Sequence, residues 1–170
     1  MVFINEHWLM MTNYGEHCAE EIVFPVLGFE RYAGQCGVQG SSYHGSRESV
    51  KIQYPLGIAY DGNQTIYISL YQAHKIITVD IVSEEGSELC STAHAPRYMS
   101  IDAFTGNVLV SMNGGLGVLR MDGSVKASLA AEYGRGSSIG TLNSLRIQTA
   151  DDLIQLDNGT WMLMDFGLHR

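Results

Sequence analysis

The 170-residue sequence predicts an all-β protein assembled from repeated units of four short antiparallel strands. Three observations carry that prediction. Helical spacing of apolar residues is scarce, and 19 glycines punctuate the chain at short intervals. Four short apolar segments bounded by turn residues read as strands buried on both faces: Trp8-Leu9-Met10-Met11, Thr65-Ile66-Tyr67-Ile68-Ser69, Asn107-Val108-Leu109-Val110-Ser111 and Thr160-Trp161-Met162-Leu163-Met164. The sequence also repeats itself. Residues 52–75 align without a gap on residues 147–170, matching Ile52-Gln53 to Ile147-Gln148, Asn63 to Asn158, Thr65 to Thr160 and His74 to His169.

The offset of 95 between these copies is about twice a 47-residue unit, so a divergent copy belongs between them, and residues 96–122 supply it. A truncated earlier copy starts near Phe3, with His17 in the place of His74. A repeat of about 40–50 residues holding four strands is the size of a β-propeller blade, whose sheet buries both faces against its neighbours. The expected organisation is a partial first blade over residues 1–37, a second over 54–93, a third over 96–132 and a partial fourth over 150–170. In the first blade the second, third and outer strands are expected near residues 8–12, 17–24 and 30–35, with no inner strand. So short a series makes an incomplete ring, which another polypeptide segment or protomer is expected to complete. Trp8, Leu9, Met10, Trp161, Met162 and Leu163 are the apolar residues expected to lie bare at its two ends.

The second copy carries a resemblance. Tyr54-Pro55-Leu56-Gly57-Ile58-Ala59-Tyr60-Asp61, followed by Ile66-Tyr67-Ile68-Ser69 and Ala73-His74-Lys75-Ile76, resembles the NHL repeat, which runs Pro-x-Gly-Ile-Ala-x-Asp, a strand, then Asn-His-Arg-Ile. Tyr32-Ala33-Gly34-Gln35-Cys36-Gly37 is similar to the Ala-Gly-x-x-Gly stretch that precedes many extracellular NHL repeats. The third copy departs from the pattern, because Gly114 and Gly115 shorten its turn and no His appears. The resemblance implies NHL-like blades of a six-bladed ring, of which this chain offers fewer than four.

Composition narrows the function classes. A hydrophobic share of 45% with 16% charged residues describes an ordered domain. The net charge of −8 repels phosphate backbones, which argues against nucleic-acid partners. The longest apolar run, residues 23–29, is interrupted by Pro25 and Gly28 and falls far short of the roughly 20 residues of a spanning helix, so no membrane insertion is expected. The first residues lack the pattern of a signal peptide, so a secreted protein would carry its signal outside this sequence.

No arrangement of residues calls for catalysis, a cofactor or a metal. His17, His74 and His169 share one register at the start of the third strand, which points to a structural role against a neighbouring turn rather than to zinc. His44 and His94 fall in loops and are expected to be solvated. Asp151-Asp152 is an acidic pair at an inner-strand entrance, but the aligned Leu56-Gly57 and Arg97-Tyr98 add no acid to it. No Gly-x-Ser-x-Gly occurs, and the glycines at Gly34 and Gly37 or Gly134 and Gly136 lead into no helix.

Cys18 and Cys36 lie symmetrically about residue 27, and Pro25-Val26-Leu27-Gly28 reads as the turn between two strands. Facing positions on such a pair approach disulfide reach, so a bridge is expected, with two buried thiols as the alternative. The same folding sets Cys90 opposite Val79, as a buried thiol or a link to another segment. Sequons at Asn63-Gln64-Thr65 and Asn158-Gly159-Thr160 occupy equivalent turns, although turn chemistry alone also favours Asn and Gly there. With the bridge they favour an extracellular setting.

The connections between blades, residues 37–51 and 134–146, are long and rich in Gly and Ser, and long loops on a rigid scaffold are natural binding elements. Filling the gap between blades is the competing explanation for them. If the face they share is a contact surface, Tyr14, Tyr43, Arg47, Tyr71 and Arg135 are its best ligand-binding residues, because aromatic and Arg side chains supply contact energy at low entropic cost. The sequence thus reads as a non-enzymatic binding or scaffolding module for a protein or glycan. The rival reading is a fragment of a propeller lyase or lactonase with a metal in its central channel.

Overall fold

A computed structural model describes residues 1–26, 28–120, 125–129, 150–156 and 160–165. The first sheet contains β1 (Val2–Asn5), β2 (Trp8–Asn13), β3 (Cys18–Val23) and β4 (Phe29–Ala33). After the short β5 (Gly45–Ser46) comes a second sheet of β6 (Pro55–Tyr60), β7 (Thr65–Leu70), β8 (Lys75–Asp80) and β9 (Glu85–Ser91). A third holds β10 (Pro96–Ile101), β11 (Val108–Met112), β12 (Gly115–Leu119) and β13 (Val125–Leu129), and a final hairpin joins β14 (Ala150–Gln155) to β15 (Trp161–Asp165). Each sheet is an antiparallel meander in chain order, apart from β5, which lies beside β9 in the second, and the described residues do not close a ring.

Strand β7 shows why the sheets stack. Its residues are apolar on both sides, and alternation sends Ile66, Ile68 and Leu70 into a core shared with Met10, Ala19 and Tyr32 of the first sheet. Tyr67 points the other way, into a core with Met99, Val108 and Val110 of the third. One sheet therefore buries its two faces against two different neighbours.

The first blade differs from expectation. β1 is its inner strand, pairing Val2 with Met10 and Phe3 with Leu9, so the blade has four strands. Four residues ahead of a tight turn, in which Asn5 Oδ1 accepts the His7 N–H at 2.8 Å, are too few to show a period in sequence. The bare end face also differs. Met10 is fully buried and Trp8 sits edge-on against Tyr32 at 5.9 Å, both turned toward the second sheet. The uncovered row runs in register across the sheet through Phe3, Leu9, Ile22 and Phe29, with Phe3 60% and Phe29 65% exposed. At the other end Leu153 and Leu163 pack toward Leu109 and Leu116, leaving Ile154, Met162 and Met164 outward.

The connection through residues 37–51 fills the first gap between blades. β5 pairs with β9 as a fifth strand at the outer edge of the second sheet, and Tyr43, Val50 and Ile52 enter the core. Arg47 lies over the Tyr32 ring at 4.7 Å and pairs with Glu84 at 3.2 Å. Burial pushes the Tyr32 phenol up to about 12, against the opposing pull of the Arg47 charge.

Cys18 and Cys36 are joined in a disulfide. They are not facing residues: Ala19 pairs with Ala33, and Cys36 lies beyond the end of β4. Gly34, at φ +85°, turns the chain back so that Cys36 reaches Cys18, with the Gly37 N–H donating to the Glu16 carbonyl at 2.7 Å. Cys90 is a free, partly buried thiol facing Ile76 rather than Val79, because Val79 pairs with Gly86 and the β8–β9 turn is therefore centred earlier in the chain than that expectation requires.

Near the centre, where inner strands converge, one hydroxyl position repeats. Thr12, Ser69 and Ser111 occupy the same register of β2, β7 and β11. Thr12 Oγ1 donates to the Leu56 carbonyl of the next sheet at 2.9 Å, and Ser69 Oγ donates to the Arg97 carbonyl of the sheet after that. Within their own sheets Ser69 Oγ accepts the Gly57 N–H at 2.7 Å and Ser111 Oγ the Tyr98 N–H at 2.9 Å. At Thr12 and Ser69 the hydroxyl thus clasps one blade to the next, whereas Ser111 Oγ donates to the Tyr98 carbonyl of its own sheet at 3.3 Å.

Candidate functional site

The turns from second to third strand and the entrances to the inner strands gather on one face. Asn13 pairs with Cys18 and Leu70 with Lys75, so Tyr14 and Tyr71 are equivalent, as are His17 and His74. His17 and His74 both adopt left-handed backbone, at φ 58° and 53°, a region in which His is enriched among non-Gly residues. The repeated His therefore answers first to turn geometry.

The first seam is closed. His17 Nδ1 accepts the Tyr54 N–H at 3.2 Å. The Gln39 side-chain amide meets both His17 Nε2 and the Tyr54 hydroxyl at 3.0 Å. Tyr54 stands edge-on to His17 at 4.5 Å and tilted against Tyr14 at 5.0 Å. In the second seam His74 is exposed, and among the described residues no hydrogen bond reaches its ring. Asparagine tolerates the same backbone, so His17→Asn is expected to cost about 1–2 kcal/mol for the lost buried contacts, and His74→Asn less than about 0.5 kcal/mol. Urea unfolding of both variants checks this.

Two adjoining clefts follow. Tyr14, Leu56, Tyr71 and Arg97 line one of about 270 Å³. Tyr71, Gln72, His74, His94, Ala95 and Asn113 line another of about 510 Å³. Arg97 lies over the Tyr71 ring at 5.6 Å, and the Tyr71 hydroxyl accepts the Asn113 Nδ2–H at 3.0 Å. Of the expected contact residues, Tyr14 and Tyr71 meet here. Tyr43 is only 5% exposed, with Lys75 Nζ 5.6 Å over its ring, and Arg47 is held in the filled seam, so both serve the gap between blades. Arg135 lies outside the described residues. Arg97 and Asn113 were missed by motif reading, because each replaces an unlike residue of the second copy, Leu56 and Tyr71.

Asn63 is exposed at its turn, whose N–H groups at Asn63, Gln64 and Thr65 are capped by Asp61 Oδ1; Asn158 and His169 lie outside the described residues. Asp152 is exposed and accepts the Leu153 N–H at 2.8 Å. Among the described residues the one grouping of three potential metal ligands is Cys18, Glu20 and Cys36, whose two sulfurs are spent on their own bond.

No protein-family profile matches the chain, and no curated protein does. Solved structures do match. One is the nidogen/laminin complex, at TM-score 0.64 and 12% identity, over 94% of this chain and 53% of that one. A virginiamycin B lyase from Staphylococcus aureus matches at 0.61 and 11%, over 93% and 45%. A gluconolactonase from Xanthomonas campestris matches at 0.52 and 18%, over 68% and 37%.

The fold is a β-propeller. The chain spans about half the length of these propellers or less, and at such identities the likeness concerns the fold alone. Binding and catalytic proteins both stand among them, so function has to be argued from the face itself.

Proposed function

We propose that this chain is a segment of an NHL-like, extracellular propeller that works as a non-enzymatic binding or scaffolding module, recognising a protein or glycan through the face of Tyr14, Tyr71 and Arg97. The observation that carries this reading is their convergence: two aromatic rings from different blades and one guanidinium share a cleft on rigid turns. The disulfide and the exposed sequon Asn63 support an extracellular setting, with Asn63 glycosylated. The NHL reading is supported by the work its pattern residues do, Gly57 in a close approach and Asp61 in a turn cap. The bare rows at the two ends, Phe3 to Phe29 and Ile154 to Met164, suit another polypeptide segment or protomer that completes the propeller.

An array of purified extracellular proteins and glycans tests the reading. Selective retention is expected, weakened at least about tenfold by combining Tyr14→Ala with Arg97→Ala, the loss of two hot-spot contacts. Retention indifferent to these substitutions overturns it. Opening of a lactone such as δ-gluconolactone above the uncatalysed rate, dependent on a stoichiometric divalent cation, would establish the lyase or lactonase reading instead.

A further inference from the structure

We propose that the seam between the second and third sheets takes a tyrosine side chain offered by a partner polypeptide, in the place where the first seam carries its own Tyr54. The proposal rests on the reading of this face as a binding surface and names the group that it accepts. Backbone pairing fixes the correspondence. The Tyr71 N–H donates to the Tyr54 carbonyl at 3.0 Å, and one blade on the Asn113 N–H donates to the Ala95 carbonyl at 3.1 Å. Pro55 pairs with Leu70 as Pro96 pairs with Met112. Ala95 is therefore the counterpart of Tyr54.

In the first seam the phenol ring rests between Tyr14 and His17, and its hydroxyl meets the Gln39 amide. The second seam keeps both walls, as Tyr71 and His74, but reduces the ring between them to a methyl group. The long connection that carries Gln39 into the first seam also has no counterpart, since only residues 92–95 join β9 to β10. What remains is the cleft of about 510 Å³, with Gln72 on its wall supplying a side-chain amide of the kind that Gln39 offers. Aromatic rings favour such tilted and edge-on neighbours, and a phenol finds there both ring walls and an amide for its hydroxyl.

The test is titration of N-acetyl-tyrosinamide into the isotope-labelled full chain, followed through its amide resonances. Saturable shifts are expected at His74, Ala95 and Asn113, with a dissociation constant on the order of millimolar for so small a ligand. Binding should fall at least about tenfold in Ala95→Tyr, where the chain fills its own cleft. Shifts centred elsewhere, or equal binding of N-acetyl-leucinamide, overturn the proposal and leave the array result standing. The wild-type shift map decides by itself if Ala95→Tyr fails to fold.

Discussion

Replacing Gly57 with valine is expected to lower the thermal midpoint by about 6–12 °C, the equivalent of roughly 3 kcal/mol in a chain of this size. A Cβ at this position would come within 2.3 Å of the Arg97 carbonyl oxygen and 2.9 Å of the Tyr98 Cα, both on the next inner strand. Those neighbours are backbone, so relief requires a strand to shift rather than a side chain to turn. The shift would also disturb the Ser69 hydroxyl, which holds the Gly57 N–H and reaches the Arg97 carbonyl. Calorimetry of Gly57→Val beside Gly62→Ala is the measurement. Gly62 has open space around it at φ +81° and carries only the smaller cost of its backbone conformation. Equal losses in the two variants would show that convergence at Gly57 is not the constraint.

Removing the disulfide with Cys18→Ser and Cys36→Ser should cost about 3 kcal/mol, the usual scale for a closed loop of this length. The bond spans 18 residues and ties the end of the first blade to the turn that leads into the filled seam. Non-reducing peptide mapping should recover Cys18 and Cys36 linked, and urea unfolding of the double variant should give a lower midpoint. Separately alkylated peptides from fresh protein, or an unchanged midpoint, would remove the bridge from the stability of the fold and weaken the extracellular reading.

The strands of the second blade could be read closely in sequence because each combines apolar runs with unmistakable turn chemistry. The Thr65 strand and Asp61-Gly62-Asn63 are examples, with Asp61 Oδ1 capping three N–H groups. β1 escaped because four residues carry no period. The pairing of Cys18 with Cys36 is legible in sequence but its geometry is not, since Ala19 pairs with Ala33 and it is the positive φ at Gly34, beyond the strand, that brings Cys36 back to Cys18. Tyr14 and Tyr71 stand out in sequence only as aromatic residues, and it is their equivalent turns that set them on one cleft. Tyr43 and Arg47 were assigned to the same face because loop length does not reveal whether a segment lies over a surface or wedges beneath it. Arg97 and Ala95 gain their meaning only from the neighbouring blade, against which a linear repeat does not display them.

The hydroxyl clasp gives the array a direction. In both described links the donor sits on the earlier blade and the acceptor carbonyl on the later one, from Thr12 to Leu56 and from Ser69 to Arg97. The repeat offset brings Met164 into the register of Ser69, and Met164 pairs with Asp152 where Ser69 stands beside Gly57. A thioether cannot donate. At that register the outward side of the β14–β15 hairpin offers a neighbour Ile154, Met162 and Met164 in place of a hydroxyl donor. A sheet laid against that side would meet apolar contact where the earlier blades meet a hydroxyl donor, a junction more tolerant of sliding than the clasp.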